Sequence, residues 1–498
     1  MRVSQLGFLF VAVCSVWSAG GCQGRPADDG DSGEGEGEGE GEGEGEGEGE
    51  DVVDPTADIA VQLQQAGFFS VAEVAALDPA TRAFDLLIDQ PLDHDDLDGE
   101  RFRQRVVLVH RNVDAPMVLN PTGYSLFDGY EQQQEELTFL LEANQLAIEH
   151  RFFGVSVPDD FGADDWRHLT VEQAAADHHA LTVALRRIYL GPVLETGHSK
   201  GGMTSVFHAA LYPDDVDAVV AYVAPISLAI NDRRGAPFLA TLGDPACRDV
   251  IRDYQTNAAS QREEIVALMR AEHVNVNDRL LQSRLVSTIG IFEWGFWQIA
   301  NCELADFYVK STDPFETAHA LGVVGVPFNF NDFTYLPYSY QVANQLGQPD
   351  QISAHLSGLL GDVSFGVFDS YASLPFDEPA YDDAALMRDI QERVVGSDRF
   401  LFVYGGYDPW TSHPFEVGDD VDSFRFIAPQ SNHSALILDL EADDKAVAFA
   451  ALNRWLEIDV DLNAVEGTLP SAQVSNWRRR LDADRAWIAG RAGIRPQR

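Results

Sequence analysis

Positive charge is what this sequence has least of. Thirty-four Lys and Arg residues stand against 80 Asp and Glu, a formal net charge of −46 over 498 residues. A surface of that sign repels phosphate, which argues against nucleic acid as a partner. Low complexity explains only part of it: residues 1–51 hold 13 acidic residues and two arginines, and the remainder still carries −35. Cysteine is scarce too, with four in the chain. No Cys/His spacing around them suits a metal, and nothing in the sequence calls for a cofactor.

The apolar run near the N-terminus, with its core at Leu6–Val13, is too short to span a bilayer. Arg2 precedes it and Ser18-Ala19-Gly20-Gly21-Cys22 follows, so residues 1–22 read as an export signal ending in a bacterial lipobox. Cys22 is the lipidation candidate. Ala19 stands where a lipobox usually has Leu, and plain signal cleavage is the other reading. Residues 23–56 contain a Gly-Glu repeat from Gly33 to Glu50 that has nothing apolar to bury and repels itself. It is expected to be a disordered linker. The protein is therefore expected at the cell envelope or outside, touching membrane only through a lipid anchor. Cys14 leaves with the signal. In an exported protein the remaining pair, Cys247 and Cys302, most simply forms a disulfide.

At 45% hydrophobic, the rest can bury a substantial core. Strand-like runs at Phe102–His110, Pro116–Asn120, Gln145–His150 and Val216–Val223 alternate with helical stretches at Glu135–Asn144 and Leu169–Tyr189. Thr170 and Gln173 have the spacing of a capping box for the second helix. This alternation predicts a doubly wound α/β sheet over residues 57–230. It stops after Pro225. Residues 231–395 turn helical and aromatic, as in Gly290-Ile291-Phe292-Glu293-Trp294, and read as an inserted cap. Strands return at Arg399–Tyr404 and Ser423–Ala428, with a helix at Ala442–Leu456, so residues 396–457 complete the sheet. Residues 458–498 form a tail in which Asn476–Gly490 has the pattern of a basic amphipathic helix.

One stretch carries chemistry. Val193-Leu194-Glu195-Thr196-Gly197-His198-Ser199-Lys200-Gly201-Gly202 runs from a strand through Gly-x-Ser-x-Gly into a helix, the pattern of a nucleophile elbow. The turn lifts the serine hydroxyl clear of the sheet, and the glycines leave room where strand and helix nearly touch. A serine nucleophile needs an acid and then a histidine later in the chain. Asp408, just past Phe400–Tyr404, is the candidate acid. His433, past Phe424–Ala428, is the candidate base; His413 is its rival but follows no strand of its own. The Lys200 backbone N–H is one expected oxyanion donor, and Gly123 or Tyr124 supplies the other.

Gly197-His198-Ser199-Lys200-Gly201-Gly202-Met203-Thr204 resembles the nucleophile motif of the secreted tripeptidyl aminopeptidases. These are prolyl tri/tetrapeptidyl serine peptidases related to prolylcarboxypeptidase and dipeptidyl peptidase II. Glu149-His150-Arg151-Phe152-Phe153-Gly154-Val155-Ser156, Leu169-Thr170-Val171-Glu172-Gln173-Ala174 and Tyr407-Asp408-Pro409-Trp410 are similar to motifs of that wider group. So is Tyr338-Ser339-Tyr340-Gln341 in the cap. The resemblance spans about residues 80–457. It implies an α/β-hydrolase fold with an inserted, mainly helical cap, and release of tripeptides, often ending in proline, from free N-termini. Pro121-Thr122-Gly123-Tyr124 departs from the Gly-Gly-Glu-Gly run of the prolylcarboxypeptidase branch. An aminopeptidase must bind an ammonium group, for which Glu293 and Asp232 are candidates, and Trp294 beside Glu293 is a candidate substrate contact; a helix-face glutamate among buried aromatics is the other reading of Glu293. An esterase or lipase on the same fold, and a surface binding protein that has lost activity, are the competing expectations.

Overall fold

The computed structural model describes residues 52–305, 308, 310–325, 334–360, 366–369, 371, 373–461, 464 and 467. The expected leader, Cys22, the Gly-Glu linker and the Asn476–Gly490 helix lie outside the described residues.

Among the described residues nine strands make one sheet. In chain order they are β1 (Phe68–Val74), β2 (Arg82–Pro91), β3 (Arg101–His110), β4 (Met117–Pro121), β5 (Asn144–Ile148), β6 (Val193–His198), β7 (Ala218–Tyr222), β8 (Phe400–Gly405) and β9 (Phe424–Ala428). Their spatial order is β1-β2-β3-β5-β4-β6-β7-β8-β9. From β5 to β9 neighbours run parallel, and β1, β2 and β3 add an antiparallel meander at the other edge. Every residue of β4, β5, β7 and β8 is buried, as parallel strands covered on both faces must be. The edge strand β9 alternates instead. The fold is that of an α/β hydrolase.

β1 and β2 were not legible as strands. Their stability comes from pairing: β2 matches β3 residue for residue, from Arg82 opposite His110 to Pro91 opposite Arg101. A single strand's sequence carries little of that information.

The helices are α1 (Ile59–Gln65), α2 (Glu136–Leu140), α3 (Val171–Arg186), α4 (Lys200–Leu211), α5 (Gly235–Leu239), α6 (Pro245–Ser260), α7 (Arg262–Glu272), α8 (Asp278–Ile299), α9 (Cys302–Ala305), α10 (Pro314–Ala320), α11 (Leu336–Gln341), α12 (Ala385–Val395) and α13 (Ala442–Trp455). Among the described residues no helix is long and apolar enough to cross a membrane. Only half of the expected capping box forms on α3. Thr170 Oγ1 accepts the Gln173 N–H at 3.2 Å, but the Gln173 side chain turns away to Asp93 and the His94 N–H.

Between β7 and β8 the chain builds a helical core of its own, with Ile251, Tyr254, Leu285, Phe292 and Trp297 at its centre. A Cys247–Cys302 disulfide joins α6 to α9, Cα atoms 5.5 Å apart. The last helix of the stretch, α12, packs elsewhere. Its Met387, Ile390 and Val394 share a core with Phe400 and Phe402 of β8, so the expected boundary at 395/396 separates a helix from the strand it covers.

Candidate active site

β6 ends in the turn that carries Ser199. This residue sits at φ 55°, ψ −122°, a conformation that non-glycine residues adopt only when the surroundings enforce it. Two hydrogen bonds do so: Ser199 N–H donates to Tyr222 O, and Met203 N–H donates to Ser199 O, both at 2.9 Å. A Cβ at Gly197 would collide with Gly201, and one at Gly201 would collide with the Pro121 carbonyl oxygen. The glycines therefore let helix α4 start directly against both β6 and the loop after β4.

Two strands away, Asp408 caps a short 3₁₀ turn, Pro409–Ser412, and its Oδ1 accepts the Trp410 N–H at 3.2 Å. Its Oδ2 lies 2.7 Å from His433 Nδ1. The carboxylate is 0% exposed and the histidine 5%. With Nδ1–H given to Asp408, the neutral imidazole presents Nε2 as an acceptor. That atom is buried and has no hydrogen-bond partner among the described residues, Ser199 included. The two loops are pressed together at Gly405 and Gly406, where a Cβ would strike Asn432 and Pro429 carbonyls. The inserted helices reach them too. His433 N–H donates to Gln298 O of α8 at 3.1 Å, and Trp410 stands between Trp294 (5.3 Å) and His433 (6.2 Å).

His413 goes elsewhere. It is buried with Nδ1 2.7 Å from Ser412 Oγ and Nε2 3.5 Å from Asp232 Oδ1. Burial and then the Arg234 charge push it down to about 4, so it stays neutral. The structure brings together Asp408 and His433, not Asp408 and His413.

The loop Pro121–Tyr124 packs on the first turn of α4. Gly123 has φ +74°, and a Cβ there would lie 2.8 Å from Gly201 N. Thr122 Oγ1 accepts the Tyr124 N–H at 3.2 Å. Of the two residues expected to supply the second oxyanion donor, Tyr124 thus spends its N–H within the loop, which leaves Gly123. The Glu149–Ser156 motif braces this loop from behind. Glu149 accepts the N–H groups of Leu126, Val155 and Ser156 and the Ser156 hydroxyl. Arg151, with no exposed surface, makes two hydrogen bonds to Asp177 of α3 and caps the carbonyls of Pro91, Leu92 and His168. These motif residues are scaffolding for the site.

The two expected ammonium-binding carboxylates already have partners. Glu293 is 2.9 Å from Arg252 Nε. Asp232 is 2.7 Å from Arg234; burial would raise its carboxyl, but that arginine and the Leu228 and Arg234 N–H groups hold it down to about 2. Trp294 is buried, its ring against Trp410 and His413.

Sequence reading missed two buried polar groups. Glu136 of α2 accepts the Tyr222 hydroxyl at 2.6 Å and the N–H groups of Ile437 and Leu438 just past His433. On the other side of Tyr222 its ring stacks on His198, beside the nucleophile. Beneath the elbow, Glu195 lies 3.0 Å from His178 Nδ1 and 2.6 Å from His208 Nδ1, whose Nε2 is 2.9 Å from Asp215. These three residues, His178, Glu195 and His208, are metal-ligand types held close. Ligand atoms about 2.0–2.1 Å from a tetrahedral zinc would sit roughly 3.3 Å from one another. The 2.6 Å contact instead is a charge-assisted hydrogen bond between the His208 ring and the Glu195 carboxylate. No i,i+4 or Gly-based pattern marks either group; a carboxylate inside an apolar strand, as at Glu195, was the available signal.

Residues 56–485 match the family described as PS-10 peptidase S37. The prolyl tri/tetrapeptidyl aminopeptidase of Streptomyces mobaraensis is 33% identical over 391 residues, 74% of this chain and 78% of that relative. The lysosomal Pro-X carboxypeptidase of Homo sapiens is 36% identical over 115 residues, 22% of this chain and 21% of its own length. Among solved structures, a proline iminopeptidase of Mycobacterium smegmatis matches 74% of this chain and 96% of its own, at 14% identity and a TM-score of 0.33. With agreement over most of its length, this chain belongs to the PS-10 peptidase S37 family.

Proposed function

We propose that this chain is a serine peptidase that removes short peptides, tripeptides ending in proline among them, from free N-termini through an acyl-enzyme on Ser199. The observation that carries the reading is the buried Asp408–His433 pair, 2.7 Å apart, whose outer nitrogen has no hydrogen-bond partner among the described residues. A histidine held this way has its tautomer chosen for proton abstraction. His433 Nε2 takes the Ser199 proton as the hydroxyl attacks the scissile carbonyl, then returns it to the leaving amine. Asp408 stabilises the imidazolium. The Lys200 and Gly123 N–H groups receive the oxyanion, the former at the N-terminus of α4. Water, activated by His433, then releases the acyl group.

The name of the Streptomyces mobaraensis relative and the helices seated over the catalytic loops support an aminopeptidase. The N-terminal pattern supports export with Cys22 acylated, which mass spectrometry of the mature N-terminus would test. For the activity, a fluorophosphonate probe should label wild-type protein and leave Ser199→Ala unlabelled. An Ala-Ala-Pro chromogenic peptide should be hydrolysed and short acyl esters should not. Labelling that survives Ser199→Ala would remove the nucleophile; ester hydrolysis without peptide hydrolysis would favour an esterase.

A further inference from the structure

Lys200 carries a buried Nζ that no carboxylate pairs with among the described residues. It is one of three lysines in the sequence, and its side chain is 3% exposed. Burial alone holds its ammonium well below the usual lysine range. An apolar side chain would fill this space without that cost. Among the described residues the polar head makes three contacts. Nζ donates to Gly123 O at 2.6 Å, and it lies 5.4 Å from the Tyr124 ring centre and 5.3 Å from that of Phe153. Two of the three belong to the loop that supplies the second oxyanion donor, and the third, the Phe153 ring, stands against Tyr124, centroids 5.6 Å apart.

The rest of that loop is tied to a different element. Thr122 N–H and Oγ1 both reach Ile148 O at 3.1 Å, and Tyr124 O accepts the His150 N–H at 3.0 Å, all at the end of β5. Nothing on that side references the loop to the nucleophile. Gly123, as a glycine at φ +74°, has the widest choice of backbone conformations in the loop. Its carbonyl is what Lys200 holds. We infer that the Lys200 side chain is a positioning residue for the oxyanion loop: Nζ grips Gly123 O and so sets the Gly123 backbone in place relative to Ser199. The inference rests on the serine-peptidase reading above. The anchor grows from the residue next to the nucleophile, so donor loop and hydroxyl keep their spacing when the sheet flexes. Loss of one oxyanion donor typically lowers turnover about 10²–10³-fold, which bounds what a misplaced loop can cost.

The test uses the full chain, wild type and the variants Lys200→Met and Lys200→Gln, each checked for a cooperative thermal transition. Three quantities are read: kcat/KM on an Ala-Ala-Pro chromogenic peptide, Ki of a tripeptidyl boronate that forms a tetrahedral adduct on serine, and Ki of the free tripeptide product. Lys200→Met should lower kcat/KM and weaken the boronate by the same factor, about 10²-fold, while product Ki stays within about twofold. Lys200→Gln, one bond shorter, should fall between. Should Lys200→Met not fold, the boronate-to-product ratio in Lys200→Gln decides alone. Variants with that ratio unchanged, or with both ligands weakened equally, overturn the inference. A wild type that fluorophosphonate leaves unlabelled at Ser199 overturns the reading beneath it as well.

Discussion

The Tyr222 hydroxyl donates to the Glu136 carboxyl at 2.6 Å, and through that contact the strand beside Ser199 meets the loop past His433. Burial pushes Glu136 up to about 7, against the pull of its three donors. An acid with a raised folded-state pKa keeps its proton in the native state after the unfolded chain has lost it. Stability therefore falls as pH rises from about 4.5 to about 7.

Glu136→Gln should abolish that segment of the pH dependence. Denaturant midpoints for wild type and variant, taken at half-unit steps from pH 4.5 to 7.5, should converge at the acid end. They should separate by a few kcal/mol above pH 7, with the variant more stable. Parallel curves would show that Glu136 does not titrate in this range.

The His208 cluster predicts a further loss of stability, of the same sign, at higher pH. Burial lowers the imidazolium, but the Glu195 and Asp215 carboxylates outweigh it and raise the group to about 9. Its contribution is fully present below the unfolded value near 6.5 and is lost as pH rises through 9. His208→Phe should be destabilised at pH 6 and lose most of that deficit by pH 10, as read by urea unfolding.

Arg151 and Asp177 share two 2.7 Å hydrogen bonds with neither side chain exposed by more than 1%. Removing one partner strands a buried charge, so Asp177→Asn should cost about 3–5 kcal/mol. The double variant Arg151→Met/Asp177→Leu should cost less than either single change. Equilibrium unfolding of Asp177→Asn, Arg151→Met and the double variant, each against wild type, settles the comparison.

Asp408→Asn keeps the size of the side chain but offers His433 Nδ1 the wrong partner. kcat should fall roughly 10⁴-fold, while the thermal transition moves little. Fluorophosphonate labelling of Ser199 should slow by a comparable factor. His413→Gln, in contrast, should leave the labelling rate within an order of magnitude, because His413 faces Asp232.

How much of this was written in the chain depends on range. The elbow is local: strand, glycine-flanked serine and helix lie within about a dozen residues, so its existence and its strained turn followed from Gly197 and Gly201. Asp408 and His433 were legible because each follows a strand in the required order, although nothing in the sequence measures the 2.7 Å between them. Glu136 was not legible. It sits in a short amphipathic stretch, and its partners are 86 and about 300 residues away. The Glu293 and Asp232 candidates show the converse. Each carboxylate looked available until its arginine was seen beside it, in one case 41 residues off.

The sequence by itself determined the alternating strand–helix plan, the nucleophile turn and the order of its partners, because those rest on backbone sterics and short-range periodicity. Only the tertiary structure decided which histidine meets Asp408, that β1 and β2 are strands, and that the Lys200 side chain lies on Gly123. Each of those is a contact between separate segments, chosen by burial and hydrogen bonding across the fold rather than by either segment alone.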